Sequence, residues 1–485
     1  MRSRALRPLA FLLMLGLIAV AYASLRPARL KRQIRATVHA LQGSGNRPPA
    51  EAVPPRSRVA RRPAAAGAPN VLLVLVDTLR ADHLGAYGYG RPTSPFIDSL
   101  AAEGVVFEKT IAQAPWTLPA VLALMMGEYP SDLGLPSPTQ AVAVLPEEGL
   151  TLAERFLANG YRTVALSDHP AIAAGGFGRG FERFDSLPEG PFGRWGFAET
   201  EAATIHERWS RLLVPTDDRP TFAYVHLYYP HSPYEPPPPL DVLFGPGALL
   251  VRESFRTGVV NLYDGEIRRT DELLRLMVPQ FQRLAATPEG SVTAIVSDHG
   301  EAFWEHGVLG HDETMHNELL HVPFVLHAPG RVPGGARIRE LAQTVDIGET
   351  LLAIAGAGSP GDAPRRGRAL LTPASETDPP EAERWAMSES PVRGPQTRSI
   401  QTASLKVIRS GADAVAYRLS DDPMERRPLS LEAVPGAARL NQILDAIPAP
   451  ARFKGRLDAD AAERLRAQGY VFGGGGATRS KEPEK

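Results

Sequence analysis

The feature that most constrains this chain is an uninterrupted apolar run, Val71 to Val76, that ends on an acid, Asp77. The run is too short for a typical helix and partly β-branched, so it reads as a strand buried on both faces, as in a parallel sheet. Val292 to Ser297 has the same character and runs into Asp298-His299. Phe222 to Leu227 and Pro323 to Leu326 look like further members. Between these runs, apolar positions recur at three and four in Ser94–Glu103, Leu150–Asn159 and Val260–Leu276. Strand–helix alternation implies an α/β fold, a doubly wound mixed sheet flanked by helices. Such sheets bind ligands at the carboxyl ends of their strands. Asp77, Asp298 and His299 are placed there by position alone.

The chain has 485 residues, of which 43% are hydrophobic and 22% charged. That is ordinary globular usage and excludes wholesale disorder. The net charge of −1 leaves no electrostatic footprint for nucleic acid. With no cysteine, disulfides, thiolate metal sites and cysteine nucleophiles are excluded. Lysine occurs only at 31, 109, 406, 454, 481 and 485, so few candidates exist for a catalytic lysine.

The first residues do not read as part of the fold. Three arginines precede an apolar run from Leu9 to Leu25, broken only by Ser24, and Ala21-Tyr22-Ala23 has the small-x-small look of a cleavage site. Residues 1–25 are therefore expected to be a signal peptide or a retained membrane anchor. The basic residues that follow, Arg26, Arg29, Lys31, Arg32 and Arg35, run against the positive-inside rule for export. Residues 26–68, rich in Arg, Pro and Ala, read as a tether. The similarity of the downstream domain to envelope enzymes, carried by the motifs given below, implies a location in the cell envelope, periplasmic or extracytoplasmic, with the first segment holding the chain at the inner membrane.

An acid after a buried strand is often only a turn former or a helix cap. Asp298-His299-Gly300-Glu301 is harder to dismiss, because adjacent carboxylate and imidazole at a strand end suit a divalent cation. A third element is Ala114-Pro115-Trp116-Thr117-Leu118-Pro119, followed by an apolar stretch closed by Gly127. Pro119 fits the first turn of a helix and Gly127 its C-cap. Thr117 is then expected just ahead of the helix N-terminus, where free N–H groups and the dipole favour an anion. A hydroxyl there, beside a metal, is a candidate nucleophile; alone it would merely cap the helix.

Asn70 to Leu84, the Trp-Thr-Leu-Pro segment, Pro230-His231-Ser232-Pro233-Tyr234, Tyr263-Asp264-Gly265-Glu266, Ser297 to Glu301, Glu305-His306-Gly307 and Gly310-His311 together resemble the sulfatase family of the alkaline phosphatase superfamily. Similarity extends in family order from about residue 69 to 472. The resemblance implies an alkaline phosphatase-like catalytic domain over 69–360 and a smaller C-terminal α+β subdomain over 361–472. The latter would contain an antiparallel sheet and a helix from Asp458 to Gln468, ahead of a flexible tail, 473–485. It further implies one divalent cation, Ca²⁺, Mg²⁺ or Mn²⁺, held by Asp77, Asp298 and His299. Thr117 falls at the nucleophile position, His231 and His311 match histidines that contact the ester or its leaving group, and His306 is a candidate partner behind them. Glu389 is a further candidate to reach the cleft.

The chain also departs from that pattern. Thr at 117 cannot become formylglycine by the usual route. Ala120 and Val121 stand where polar residues are common, Thr78 replaces the second Asp of a common pair, and Tyr229 stands where Asp is frequent. A formylglycine hydrate can expel sulfate by breaking its own C–O bond, whereas a simple Thr ester must be cleaved by water at sulfur or phosphorus. That suits a clamped phosphoryl group. Acid, Thr and Asp-His together are also similar to lipoteichoic acid synthases and phosphoethanolamine transferases. The expected function is a metal-dependent hydrolase of sulfate or phosphate esters with Thr117 as nucleophile, acting on an anionic glycan, lipid or small molecule. The alternatives are a non-catalytic binding protein on this scaffold and an envelope phosphoryl transferase.

Overall fold

The structure is a computed structural model describing residues 59–447, apart from 135–144, 147, 170–171, 173–175, 187–200, 248–251, 286–289, 359–365, 372–383 and 391–396. The expected anchor, the helix at 458–468 and the tail lie outside the described residues, as does most of the tether. Among the described residues no helix is long and apolar enough to cross a membrane.

The strands are β1 (Asn70–Val76), β2 (Val105–Ile111), β3 (Arg162–Ser167), β4 (Arg183–Ser186), β5 (Thr221–Leu227), β6 (Ser291–Val296), β7 (Ala302–Phe303), β8 (Leu309–Gly310), β9 (His321–Val322), β10 (Phe324–His327), β11 (Ala336–Gln343), β12 (Ala386–Ser390), β13 (Thr397–Gln401), β14 (Leu405–Ser410) and β15 (Asp413–Arg418). The helices are α1 (Pro95–Glu103), α2 (Thr117–Met126), α3 (Leu152–Ala158), α4 (Ala202–Leu213), α5 (Arg252–Gln282), α6 (Asn317–Leu320), α7 (Asp346–Ile354) and α8 (Ala437–Ala446). The main sheet runs β11-β2-β10-β6-β1-β5-β3-β4, with β9 paired to β2.

The expected parallel pairing of doubly buried strands is observed: β1 pairs parallel with β5 on one side and β6 on the other. Its side chains alternate between two cores. Val71, Leu73 and Leu75 join the face covered by α2, α3 and α7, while Leu72, Val74 and Val76 join the face covered by α1, α4 and α5. Burial on both faces explains why the run has no polar break. Each such side chain contributes about 1.5–3 kcal/mol. The Pro323–Leu326 run does form a strand, but β10 is antiparallel to both β6 and β2. That orientation is set by the path of residues 297–323, which turn the chain back between β6 and β10, rather than by composition. Strands β2, β3 and β11 carry no such uninterrupted run, because their apolar periods are broken by polar residues such as Arg162 and Glu340.

The C-terminal part holds a four-stranded antiparallel sheet, β12-β13-β14-β15, with α8 packed on β13 and β14. Two residues expected in the tether are docked on the body. Arg62 donates to Asn159 Oδ1 at 2.6 Å, and Arg61 pairs with Glu182 at 2.9 Å.

Candidate active site

Four consecutive strands of the main sheet deliver the site from their carboxyl ends. Asp77 follows β1, Asp298 and His299 follow β6, His226 lies near the end of β5, and Asp168-His169 follows β3. Asp77, Asp298 and His299 are fully buried, with one donor atom from each lying within 4.8 Å of the others. His299 Nε2 is 3.5 Å from Asp298 Oδ2 and 3.7 Å from Asp77 Oδ1. Thr117 Oγ1 lies 3.3 Å from the same nitrogen.

Thr117 is the first residue of α2, not the residue ahead of it, because Trp116 takes the N-cap with extended backbone. The hydroxyl therefore still sits at the positive end of the helix. Gly127 caps the other end in the left-handed region (φ 71°), as its place after the apolar stretch predicts.

Local backbone chemistry orients the acids. Asp298 Oδ1 accepts from the N–H groups of His299 (2.9 Å) and Thr78 (3.3 Å). Thr78 holds a left-handed backbone (φ 55°), which costs a β-branched residue about 1–3 kcal/mol. Its carbonyl accepts from Tyr263 Oη at 2.7 Å, and Leu79 N–H donates to Ser297 Oγ. His299 Nδ1–H donates to Gly300 O at 2.8 Å, leaving the Nε2 lone pair facing the acids. Gly300 is obligatory: a Cβ there would stand 2.1 Å from Glu318 O.

The residues present fit a cation. Both Asp77 oxygens and Asp298 Oδ2 are buried and accept no hydrogen bond, an arrangement that costs free energy unless a cation compensates. Burial, then the charges of Asp298, Glu301 and Asp168, push the Asp77 carboxyl well above its ordinary range. Burial likewise raises Asp298. It lowers His299 and His231 to about 3 and His226 to about 4, so these imidazoles are neutral ligands or acceptors at pH 7.

The β7–β8 hairpin supplies a second layer. Its Ala302–Gly310 pair places Glu301 and His311 side by side. His311 Nδ1 lies 3.0 Å from Glu301 Oε1, and Tyr234 Oη donates to Glu301 Oε2 at 2.8 Å. Burial alone would lower His311, but the Glu301 charge and hydrogen bond outweigh it and the pKa rises. The His311 ring stands 4.7 Å from that of His299 and 5.0 Å from that of His231. All six sequence-predicted site residues thus gather at one sheet edge.

Two other expectations fail. His306 does not support this cluster; it pairs with Glu318 at 2.6 Å, contacts Glu425 O and stacks on His316 at 3.5 Å and 4°. Although Glu318 and both rings lie close enough to share an ion, the in-plane lone pairs of the two stacked imidazoles run parallel. His316 is also taken up by Thr314 and Tyr417. Glu389 is buried against Arg398 (2.9 Å) and Ser131 N–H (2.8 Å), as packing at the subdomain boundary.

Residues given no role in the sequence reading join the site. His169 Nε2 and His226 Nε2 lie 3.3 and 3.6 Å from Asp77 Oδ2. One signal could have found them: an Asp-His pair closes β3 as another closes β6, and His226 is the one imidazole inside a strand that is apolar or aromatic after its first residue, Thr221.

The sulfatase family model matches residues 69–357, well over half of the chain. The chain belongs to the sulfatase family. Among curated relatives it is 27% identical over 324 residues to an ulvan-active sulfatase of Formosa agariphila, covering 59% of this chain and 61% of that one. It is 35% identical over 136 residues to bovine (Bos taurus) arylsulfatase A, covering 26% of each. This sulfatase-family chain thus spans less than two thirds of the length of the curated relatives it matches first. A phosphonate monoester hydrolase of Agrobacterium radiobacter shares the fold, with TM-score 0.62, 22% identity and coverage of 78% of this chain and 94% of that one.

Proposed function

We propose that this chain is a metal-dependent hydrolase of sulfate or phosphate esters with Thr117 as its nucleophile. The observation that carries the reading is the Thr117 hydroxyl 3.3 Å from His299 Nε2, beside carboxylate oxygens that accept no hydrogen bond. Family membership and the ulvan-active relative support an anionic ester as substrate.

Asp77, Asp298 and His299 would hold the divalent cation, which supplies Lewis acidity and lowers the pKa of a bound hydroxyl. Thr117 Oγ, its proton released to solvent, attacks the phosphorus or sulfur, forming one O–P or O–S bond as the bond to the leaving oxygen breaks. The α2 N-terminus faces the charge that develops on the transferred group. His311, held through Nδ1 by Glu301, is placed to give the leaving oxygen a proton from Nε2. His231, whose Nδ1–H donates to Ser232 O at 2.6 Å, presents a lone pair that can take a proton from water. Water then cleaves the Thr ester at phosphorus or sulfur, which favours phosphoryl substrates. Export to the envelope is part of the same proposal, supported by the apolar run at 9–25.

The test is a panel of aryl sulfates, phosphate monoesters and diesters, assayed with Mn²⁺, Mg²⁺, Ca²⁺ or chelator. Thr117→Ala should lose about 10³-fold or more in kcat, and Thr117→Ser should retain much of it. Full turnover by Thr117→Ala would refute the nucleophile.

A further inference from the structure

The seam between the main sheet and the C-terminal sheet holds a cavity of about 370 Å³, near the lower end of the range for small-ligand sites. One wall comes from the loop after β1, from β2 and from the first residue of β9. The other comes from the end of β13 and the segment after β15. None of the proposed catalytic or cation-holding residues lines it. Arg80 and Glu318, which do, also pack against Gly300: a Cβ there would lie 3.2 Å from Arg80 Cγ and 2.1 Å from Glu318 O.

The acids of the lining are all held. Asp82 is held by Arg80 at 2.8 Å, Glu108 by Arg337 at 2.6 Å, Glu318 by His306 at 2.6 Å and Glu425 by Lys406 at 2.7 Å. Burial pushes His321 down, so it adds no positive charge at pH 7. Lys109 is the exception. Its ammonium has three N–H groups and donates to Ala403 O at 3.1 Å across the seam, and among the described residues no carboxylate pairs with it. Gln401 is the second unfinished group. It is 4% exposed, and its Oε1 is buried and accepts no hydrogen bond. A buried amide oxygen left so costs free energy that a donating hydroxyl removes. Ile111, Leu419 and Met424 give the same cavity an apolar wall.

We infer that this cavity binds a small hydroxylated monocarboxylate of about one ring, the class of a sugar acid. Its carboxylate meets Lys109, a hydroxyl donates to Gln401 Oε1, and the C–H face of the ring packs against Ile111, Leu419 and Met424. One unmatched cation calls for one negative charge, and the four carboxylates around it, though held, repel a dianion such as phosphate. The volume suits one ring rather than a chain of them. A ligand touching β2 and β13 together ties the two sheets, so occupancy favours the folded chain. The site is separate from the proposed active site and stands whether or not Thr117 is a nucleophile.

The test reads binding rather than turnover. The full chain is titrated by calorimetry with sodium glucuronate, glucose, cyclohexanecarboxylate and inorganic phosphate, and its melting temperature is followed with each. Glucuronate should saturate at about millimolar concentration or below and raise the melting temperature. Glucose, which lacks the charge, cyclohexanecarboxylate, which lacks the hydroxyls, and phosphate should each bind about tenfold more weakly or worse. Lys109→Gln and Gln401→Leu should each weaken glucuronate by about tenfold, while Thr117→Ala binds it as wild type does. Far-UV circular dichroism verifies folding; Lys109 is only half-buried, so Lys109→Gln decides the matter if Gln401→Leu does not fold. Three results overturn the site: no saturable binding of glucuronate up to about 10 mM, binding that Lys109→Gln leaves unchanged or Thr117→Ala removes, or phosphate binding as tightly as glucuronate.

Discussion

Buried charge is treated in opposite ways at the carboxyl edge of the main sheet and at its junction with the C-terminal sheet. At the edge, Asp77 and Asp298 keep three carboxylate oxygens without a hydrogen bond, and the backbone at Thr78 is strained. At the junction, Lys406 Nζ, fully buried, lies 2.7 Å from Glu425 Oε1 and 3.0 Å from Asn317 Oδ1, and the other Glu425 oxygen accepts from Asn317 N–H. Asp346 is similarly enclosed by the N–H groups of Gln343 and Arg368 and by Arg384 at 2.7 Å. Equal burial therefore does not mean equal purpose. A partnered buried charge holds two layers in register, whereas unpartnered carboxylates remain only where a ligand compensates them.

The largest effect is expected at the junction. Lys406→Met strands Glu425 as a buried charge and should cost about 3–5 kcal/mol in denaturant unfolding. Adding Glu425→Gln should recover part of that loss, and no recovery would mean that the pair is not what holds the junction. Gly300 stands between the regions. Gly300→Ala drives a Cβ against Glu318 O and should cost roughly 1–3 kcal/mol or more, read as a lower melting temperature together with weakened metal binding.

The edge should respond with the opposite sign. In metal-free protein, Asp77→Asn removes an uncompensated charge and should stabilise by about 1–3 kcal/mol, while abolishing the rise in melting temperature on adding metal. A destabilised metal-free variant would break the contrast. The smallest effect is a pH dependence. Burial, then Lys406 and His306, push His316 down to about 2. Its neutral form is the folded one, so its contribution is complete above the unfolded value of about 6.5 and is lost as pH falls below it. The slope is at most about 1.4 kcal/mol per pH unit. His316→Gln should flatten the stability profile between pH 6.5 and 5.

Much of this was written locally. An apolar run that needs burial on both faces can only be a central strand, so β1 and β6 and the acids at their ends were readable as Asp77, Asp298 and His299. Pro119 and Gly127 likewise bounded a helix that begins at Thr117. The antiparallel turn of β10, the docking of Arg62 and the junction role of His306 were not readable, since each depends on partners distant in sequence. His169 and His226 belong to the same class. A histidine at a strand end has no chemical meaning until a neighbouring strand brings a carboxylate to it. The sequence by itself determined which residues must be inside and where strands give way to loops, because hydrophobic burial is a property of short segments. Only the tertiary structure decided which buried polar atoms face one another, because hydrogen bonds and ion pairs act over a few ångströms across strands that the chain joins only after long detours.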